Sequence, residues 1–159
     1  MKKRILQAMA ALVLVAAAGT FIYQQSADPE ACDVCYRPMH AATFYRIHLA
    51  SGETKDVCCP RCGLRFQEGR DDVVGVEVTN FYTRERIDAA TAYYVESSPV
   101  HFCSHAAVRE DRSGDQYEVT WDRCLPSLIG FAAEEDAQRF QRENGGSVKT
   151  YDELRAEHY

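Results

Sequence analysis

Hydrophobic positions along this chain fall into two regimes. From Ile5 to Tyr23 they are continuous, a 19-residue run broken only by Gln7 and Thr20. At about 1.5 Å of helical rise per residue, such a run covers most of a bilayer's roughly 30 Å apolar layer. After a polar stretch at 24–30, hydrophobic positions come in short bursts punctuated by turn residues. Ala41–Leu49 and Thr54–Val57, joined through Ser51-Gly52-Glu53, predict a β-hairpin. Val73–Thr79 is β-branched and bounded by Asp71-Asp72 and Asn80, which predicts a central strand. Tyr117–Trp121, Leu128–Phe131 and Ser147–Thr150 predict further strands, and Arg109–Gln116 reads as a charged loop containing Gly114. Ala133, Ala137 and Phe140 fall at helical spacing in Ala133–Asn144, with acidic residues in the first turn and a stop at Gly145-Gly146. Asp152–Glu157 predicts a short last helix. Short strands mixed with helices give an α+β class, and 159 residues suit one domain after a targeting segment.

Met1-Lys2-Lys3-Arg4 places positive charge before the apolar run, so residues 1–4 are expected in the cytoplasm and the chain after about Gln24 outside it. Ala16-Ala17-Ala18 offers small residues for signal cleavage, whereas Phe21-Ile22-Tyr23 extends the run past them and favours an uncleaved anchor. The expected organisation is a membrane segment at 5–23, a linker at 24–30 and a metal-binding domain at 31–159. That places a single-pass protein in the cytoplasmic membrane, with its C-terminal domain in the periplasm or extracellular. Without Lys2, Lys3 and Arg4 the chain carries 15 basic against 24 acidic residues, a net charge of −9. No Lys/Arg cluster offers a phosphate-binding footprint, so nucleic acid is not an expected partner.

Seven cysteines change the picture. An exported domain meets an oxidising compartment where cysteines pair, and an odd number leaves at least one thiol for other work. Cys32-Asp-Val-Cys35 and Cys59-Pro-Arg-Cys62 are two Cys-x-x-Cys turns, each able to aim two thiolates at one centre. Together they supply the four soft ligands of a tetrahedral zinc site. The predicted hairpin brings them together as in a zinc ribbon, with Cys58 either spare or in the place of Cys59. Two disulfides holding the hairpin are the alternative. Met39 and His40 add a thioether and an imidazole beside the first pair, and Met39 extends the set toward copper(I).

A third cluster, His101-Phe-Cys103-Ser-His105, would project all three ligand types from one face if it formed a strand. Cys124 could complete a second metal site there, or pair with Cys103 as a disulfide across the loop between them.

The order of several motifs resembles the NosL family of copper-binding accessory proteins. They are the opening Cys-x-x-Cys with Met39; Val78-Thr-Asn-Phe-Tyr-Thr; Ile87-Asp-Ala-Ala-Thr-Ala-Tyr-Tyr-Val95-Glu-Ser-Ser-Pro99; and Gly130-Phe-Ala through Gly145-Gly146 to Tyr151-Asp-Glu-Leu154. The resemblance covers nearly the whole exported part. It implies an α+β fold of two related sheet-and-helix halves, Cu(I) held by soft ligands including Cys35 and Met39, and delivery of copper to nitrous oxide reductase. The chain departs from the family at Val100, where a methionine ligand is usual after Ser98-Pro99. His101, Cys103 and His105 are the candidates to stand in. The Cys58-Cys59-Pro-Arg-Cys62 cluster is also richer in thiols than the family's usual second segment.

Three functions follow: a copper chaperone or accessory factor serving a client metalloenzyme; an interaction module built on a structural zinc site; and a thiol–disulfide oxidoreductase. The third would use a helix-opening Cys-Pro-Arg-Cys to depress one thiol pKa. No Gly-rich phosphate loop or assignable nucleophile–base pair points to hydrolytic or transfer chemistry, so the chain is not expected to be an enzyme.

Overall fold

In the computed structural model, the described residues are 31–100, 102–103, 108–110, 112–118 and 122–158. The apolar run at 5–23, the linker at 24–30, His101 and His105 lie outside them. Among the described residues no helix is long and apolar enough to cross a membrane.

The described part opens with a tight turn at 32–36 and runs into β1 (Tyr45–Leu49) and β2 (Thr54–Val57), followed by helix α1 (Pro60–Gln67). Next come β3 (Val73–Thr79), β4 (Arg86–Asp88), β5 (Tyr93–Glu96), β6 (Val108–Glu110), β7 (Gln116–Glu118) and β8 (Leu128–Phe131). Helix α2 (Glu134–Asn144), β9 (Ser147–Thr150) and helix α3 (Tyr151–His158) finish it. Strands pair antiparallel in a four-stranded sheet β2-β1-β3-β4, a three-stranded sheet β8-β5-β9 and a hairpin β6-β7. Among the described residues the class is α+β, with two small sheets, one two-stranded hairpin and three helices.

Alternation decides the first sheet. In β1, Tyr45, Ile47 and Leu49 are buried while Arg46 and His48 are partly exposed, the period-two signature of a sheet with one covered face. Arg46 lies across from Asp56 in the register and binds both carboxylate oxygens, at 2.6 and 2.8 Å. β8 is buried throughout, as expected of a strand covered on both faces. Phe81, Phe131 and Phe140 pack ring against ring at 5.1 to 5.8 Å, tying α2 to the second sheet.

Three sequence expectations are corrected. The segment Arg109–Gln116 is not a plain loop, because its ends belong to β6 and β7, whose turn is supplied by Gly114 at φ 88°. Phe102 and Cys103 lie in a bend rather than a strand, so period-two projection does not apply there. The Cys59-Pro-Arg-Cys62 turn is the start of a helix: Pro60 occupies its first turn, where the missing N–H costs nothing. Cys59 precedes it in extended conformation, and Gly63 allows the helix to lie against β1. A Cβ on Gly63 would fall 2.4 Å from the Tyr45 ring.

Candidate metal centre

Four separate segments deliver the thiols. The first is the turn at 32–36, closed by Tyr36 N–H to the Cys32 carbonyl (2.9 Å) and by Cys32 N–H to the Arg37 carbonyl (2.9 Å). Within it the amides of Val34 and Cys35 both donate to Cys32 Sγ at 3.4 Å, which favours the thiolate. Asp33 anchors the turn to β2: its amide donates to the Asp56 carbonyl and its carboxylate accepts the Asp56 N–H (2.8 Å). The second segment is the β2–α1 junction. Cys58 follows β2 directly, Cys59 caps α1 and Cys62 lies one turn into it. The Cys58 carbonyl accepts from Thr43 Oγ1 (2.8 Å), fixing the junction. The bend at Cys103 and the turn at Cys124 are the third and fourth.

These segments bring all seven sulfurs into one cluster. Cys58 Sγ lies 3.4 Å from Cys35 Sγ and 3.8 Å from each of Cys59, Cys62 and Cys124. Cys62 Sγ and Cys124 Sγ are 3.7 Å apart. In a tetrahedral site with metal–sulfur bonds of about 2.3 Å, sulfurs stand about 3.8 Å apart. The observed spacings are therefore those of a metal–thiolate polyhedron and far beyond the disulfide bond of about 2.05 Å. Two four-thiol sets have all their sulfurs within 4.8 Å of one another: Cys32, Cys35, Cys58 and Cys62, and Cys58, Cys59, Cys103 and Cys124. All seven cysteines are free, Cys103 and Cys124 included. Of the ribbon sets expected from spacing, the one with Cys58 in the place of Cys59 is the set the structure brings together with Cys32, Cys35 and Cys62. Six of the thiols are buried, and Cys35 is half-exposed. Met39 packs half-buried against the core that contains the thiols.

Arg37 binds the far side. Its Nη1 donates to Asp122 Oδ1 (2.7 Å), the Cys103 carbonyl (2.9 Å) and Cys124 Sγ (3.6 Å), so one guanidinium ties together the bend and the turn that carry the last two thiols. Asp122 in turn accepts the Cys124 N–H (2.8 Å). Sequence reading passed over Arg37 and Asp122, and no local signal marks them, because their partners are 66 to 87 residues away.

Crowding and burial push the thiol pKa values in both directions. Thiol hydrogen bonds hold three down: Cys32 through Cys58 and Cys62, Cys124 through Cys103 first, and Cys59, to about 5, through Cys103 first. Burial pushes Cys35 up, and hydrogen bonding within the cluster pushes up Cys58, Cys62 and Cys103. The Cys59-Pro-Arg-Cys62 pair does open a helix with one depressed thiol, as a redox motif would. Its cause, however, lies in neighbouring thiols, and Cys59 at 4 % exposure is out of reach of a disulfide substrate. The donor set is all sulfur, which suits d10 ions such as Cu(I) and Zn(II) and excludes the oxygen-seeking Ca²⁺ and Mg²⁺.

Comparison with known proteins bears on this geometry. No protein-family model matches the chain. It is similar to the HTH-type transcriptional repressor CutR of Bacillus subtilis (strain 168), with 24% identity over 123 residues, 77% of this chain and 55% of that protein. The chain thus spans about half the length of that curated relative. Among solved structures, it is similar to the copper chaperone NosL from Shewanella denitrificans, with a TM-score of 0.57 and 16% identity, covering 80% of this chain and 94% of that one. The chain has a NosL-like fold.

Proposed function

We propose that this chain is a membrane-anchored, extracytoplasmic copper-handling protein, which holds Cu(I) among its cysteine thiolates and passes it to a client metalloenzyme or an assembly factor. It has no catalytic role of its own. The observation that carries this reading is the convergence of seven thiols from four segments at metal–thiolate spacings. The NosL-like fold and the motif order support copper over other soft ions, and a client of the nitrous oxide reductase kind. Residues 5–23 supply the anchor. Cys35 is the half-exposed edge of the cluster, and a thiolate at the rim is where an incoming ligand can displace an outgoing one.

The test is a competition for Cu(I) between the full chain in detergent and a colorimetric chelator. Cys35→Ser combined with Met39→Leu weakens binding by about tenfold or more, the effect of losing about 1.4 kcal/mol. Unchanged affinity overturns the assignment.

Burial of the other six thiols favours a second reading, a structural zinc site that stabilises a surface for a protein partner. In that case Zn(II) stays bound through chelator challenge, and Cys62→Ser unfolds the domain as it removes the metal.

A further inference from the structure

The seven cysteines need not be one site with spare thiols. We propose that they form a single binuclear centre in which two d10 ions occupy two corner-sharing four-thiolate sites, with Cys58 as the bridging ligand. This rests on the soft-metal reading above and adds to it the number of ions and the role of one residue.

The sets themselves set the count. Each has four thiols with all sulfurs within 4.8 Å of one another, and the only member in common is Cys58. Two tetrahedra joined at one corner require seven ligands, and the chain has seven cysteines. None is left over and none but Cys58 is used twice. A bridging sulfur must stand at polyhedron-edge distance from partners on both sides. Cys58 Sγ meets this, 3.4 Å from Cys35 and 3.8 Å from Cys62 on one side, and 3.8 Å from Cys59 and from Cys124 on the other. It is fully buried, as the centre of such a cluster must be.

The bland alternative is one ion in the first set, with Cys59, Cys103 and Cys124 packed as small apolar side chains. One feature speaks against it. Arg37, hydrogen-bonded to Asp122, places its Nη1 3.6 Å from Cys124 Sγ, a cationic donor that apolar packing does not call for and a thiolate does.

Charge bears on which ion fills the pair. Seven thiolates with two divalent ions leave a net −3, and with two monovalent ions −5, so at full occupancy divalent ions leave the buried centre less charged. Both ions share the thiolate chemistry.

The experiment uses the full chain in detergent, reduced and then loaded with ¹¹³Cd(II), an ion that favours sulfur ligands and tetrahedral sites. Two cadmium resonances split by mutual coupling through a shared sulfur are expected, because only a bridge couples them. Cys58→Ser abolishes the coupling and lowers the stoichiometry from two ions to one or fewer. Cys59→Ser, which leaves the first set whole, keeps one uncoupled resonance and guards against simple misfolding of the Cys58 variant. Native mass spectrometry of the Zn(II)-loaded chain, before and after Cu(I) addition, reads which ion displaces the other. A single ion per wild-type chain, or two uncoupled resonances, overturns the bridge and leaves the soft-metal reading standing; no bound ion at all overturns both.

Discussion

Half-exposed Cys35 and fully buried Cys58 hold their sulfurs 3.4 Å apart, joining the turn at 32–36 to the β2–α1 junction. This contact connects the rim of the cluster to its centre. A ligand that displaces Cys35 reaches the first ion without unfolding the core, so Cys35→Ser should speed Cu(I) transfer to a chelator more than Cys62→Ser, whose thiol lies buried on a helix. Stopped-flow transfer rates measure this. Equal acceleration by the two variants would remove Cys35 from its role at the rim.

Arg37 is predicted to organise the second thiol set from outside it. Arg37→Met leaves Asp122, whose side chain is 4% exposed, without its ion-pair partner, and frees the Cys103 carbonyl. The expected cost is about 1–3 kcal/mol in urea unfolding of the metal-free chain. The stoichiometry of loaded metal should fall with it. Arg37→Lys restores charge but not the three-way geometry, and should recover only part of the loss.

Gly63→Ala tests the packing that positions Cys62. Alanine is the better helix former by about 1 kcal/mol, yet its Cβ would fall 2.4 Å from the Tyr45 ring. Tyr45 is held by Gln67, which Tyr151 binds in turn at 2.6 Å, so the ring has little freedom to yield. A net loss of about 1–3 kcal/mol is expected, read as a lowered Tm, together with weaker metal binding. A raised Tm would show that the helix does not press on the strand.

Acid should destabilise the metal-free fold through Glu96 and Asp122. Burial alone would raise Glu96, but Lys149 at 2.7 Å and Arg61 at 2.5 Å hold it below the usual carboxylate range. Burial likewise opposes, and the Arg37 and Cys124 hydrogen bonds outweigh it, at Asp122. Because both folded pKa values lie below the unfolded ones, their contribution is present above about pH 4 and is lost as pH falls through the folded values. Denaturant midpoints from about pH 6 down to pH 2 should fall on the acid side, and Glu96→Gln should flatten that slope.

Much of the scaffold was legible in the sequence, for identifiable reasons. Thr54–Val57, Val73–Thr79, Leu128–Phe131 and Ser147–Thr150 are strands with the ends their turn residues predict, and Gly145 at φ 71° ends α2 where expected. Helix α1 was not legible as a helix, since its Pro60 and Gly63 are poor helix formers and only contact with Tyr45 explains the glycine. β5 carried no turn or alternation signal of its own and stood out only within the resemblance to the NosL family. The meeting of the two Cys-x-x-Cys turns followed from the hairpin, but the approach of Cys103 and Cys124 to them, and the partition of the seven thiols, did not. Spacing treats each Cys-x-x-Cys as a unit, whereas the start of α1 decides that Cys58 joins Cys32, Cys35 and Cys62.

The most direct test of the central claim is elemental analysis of the full chain, purified in detergent without added metal or reductant, with a count of free thiols after denaturation in the presence and absence of reductant. Bound copper or zinc, with seven thiols free in both counts, is the result predicted. No metal, and a single free thiol that rises to seven only on reduction, would make the cysteines a disulfide framework and contradict it.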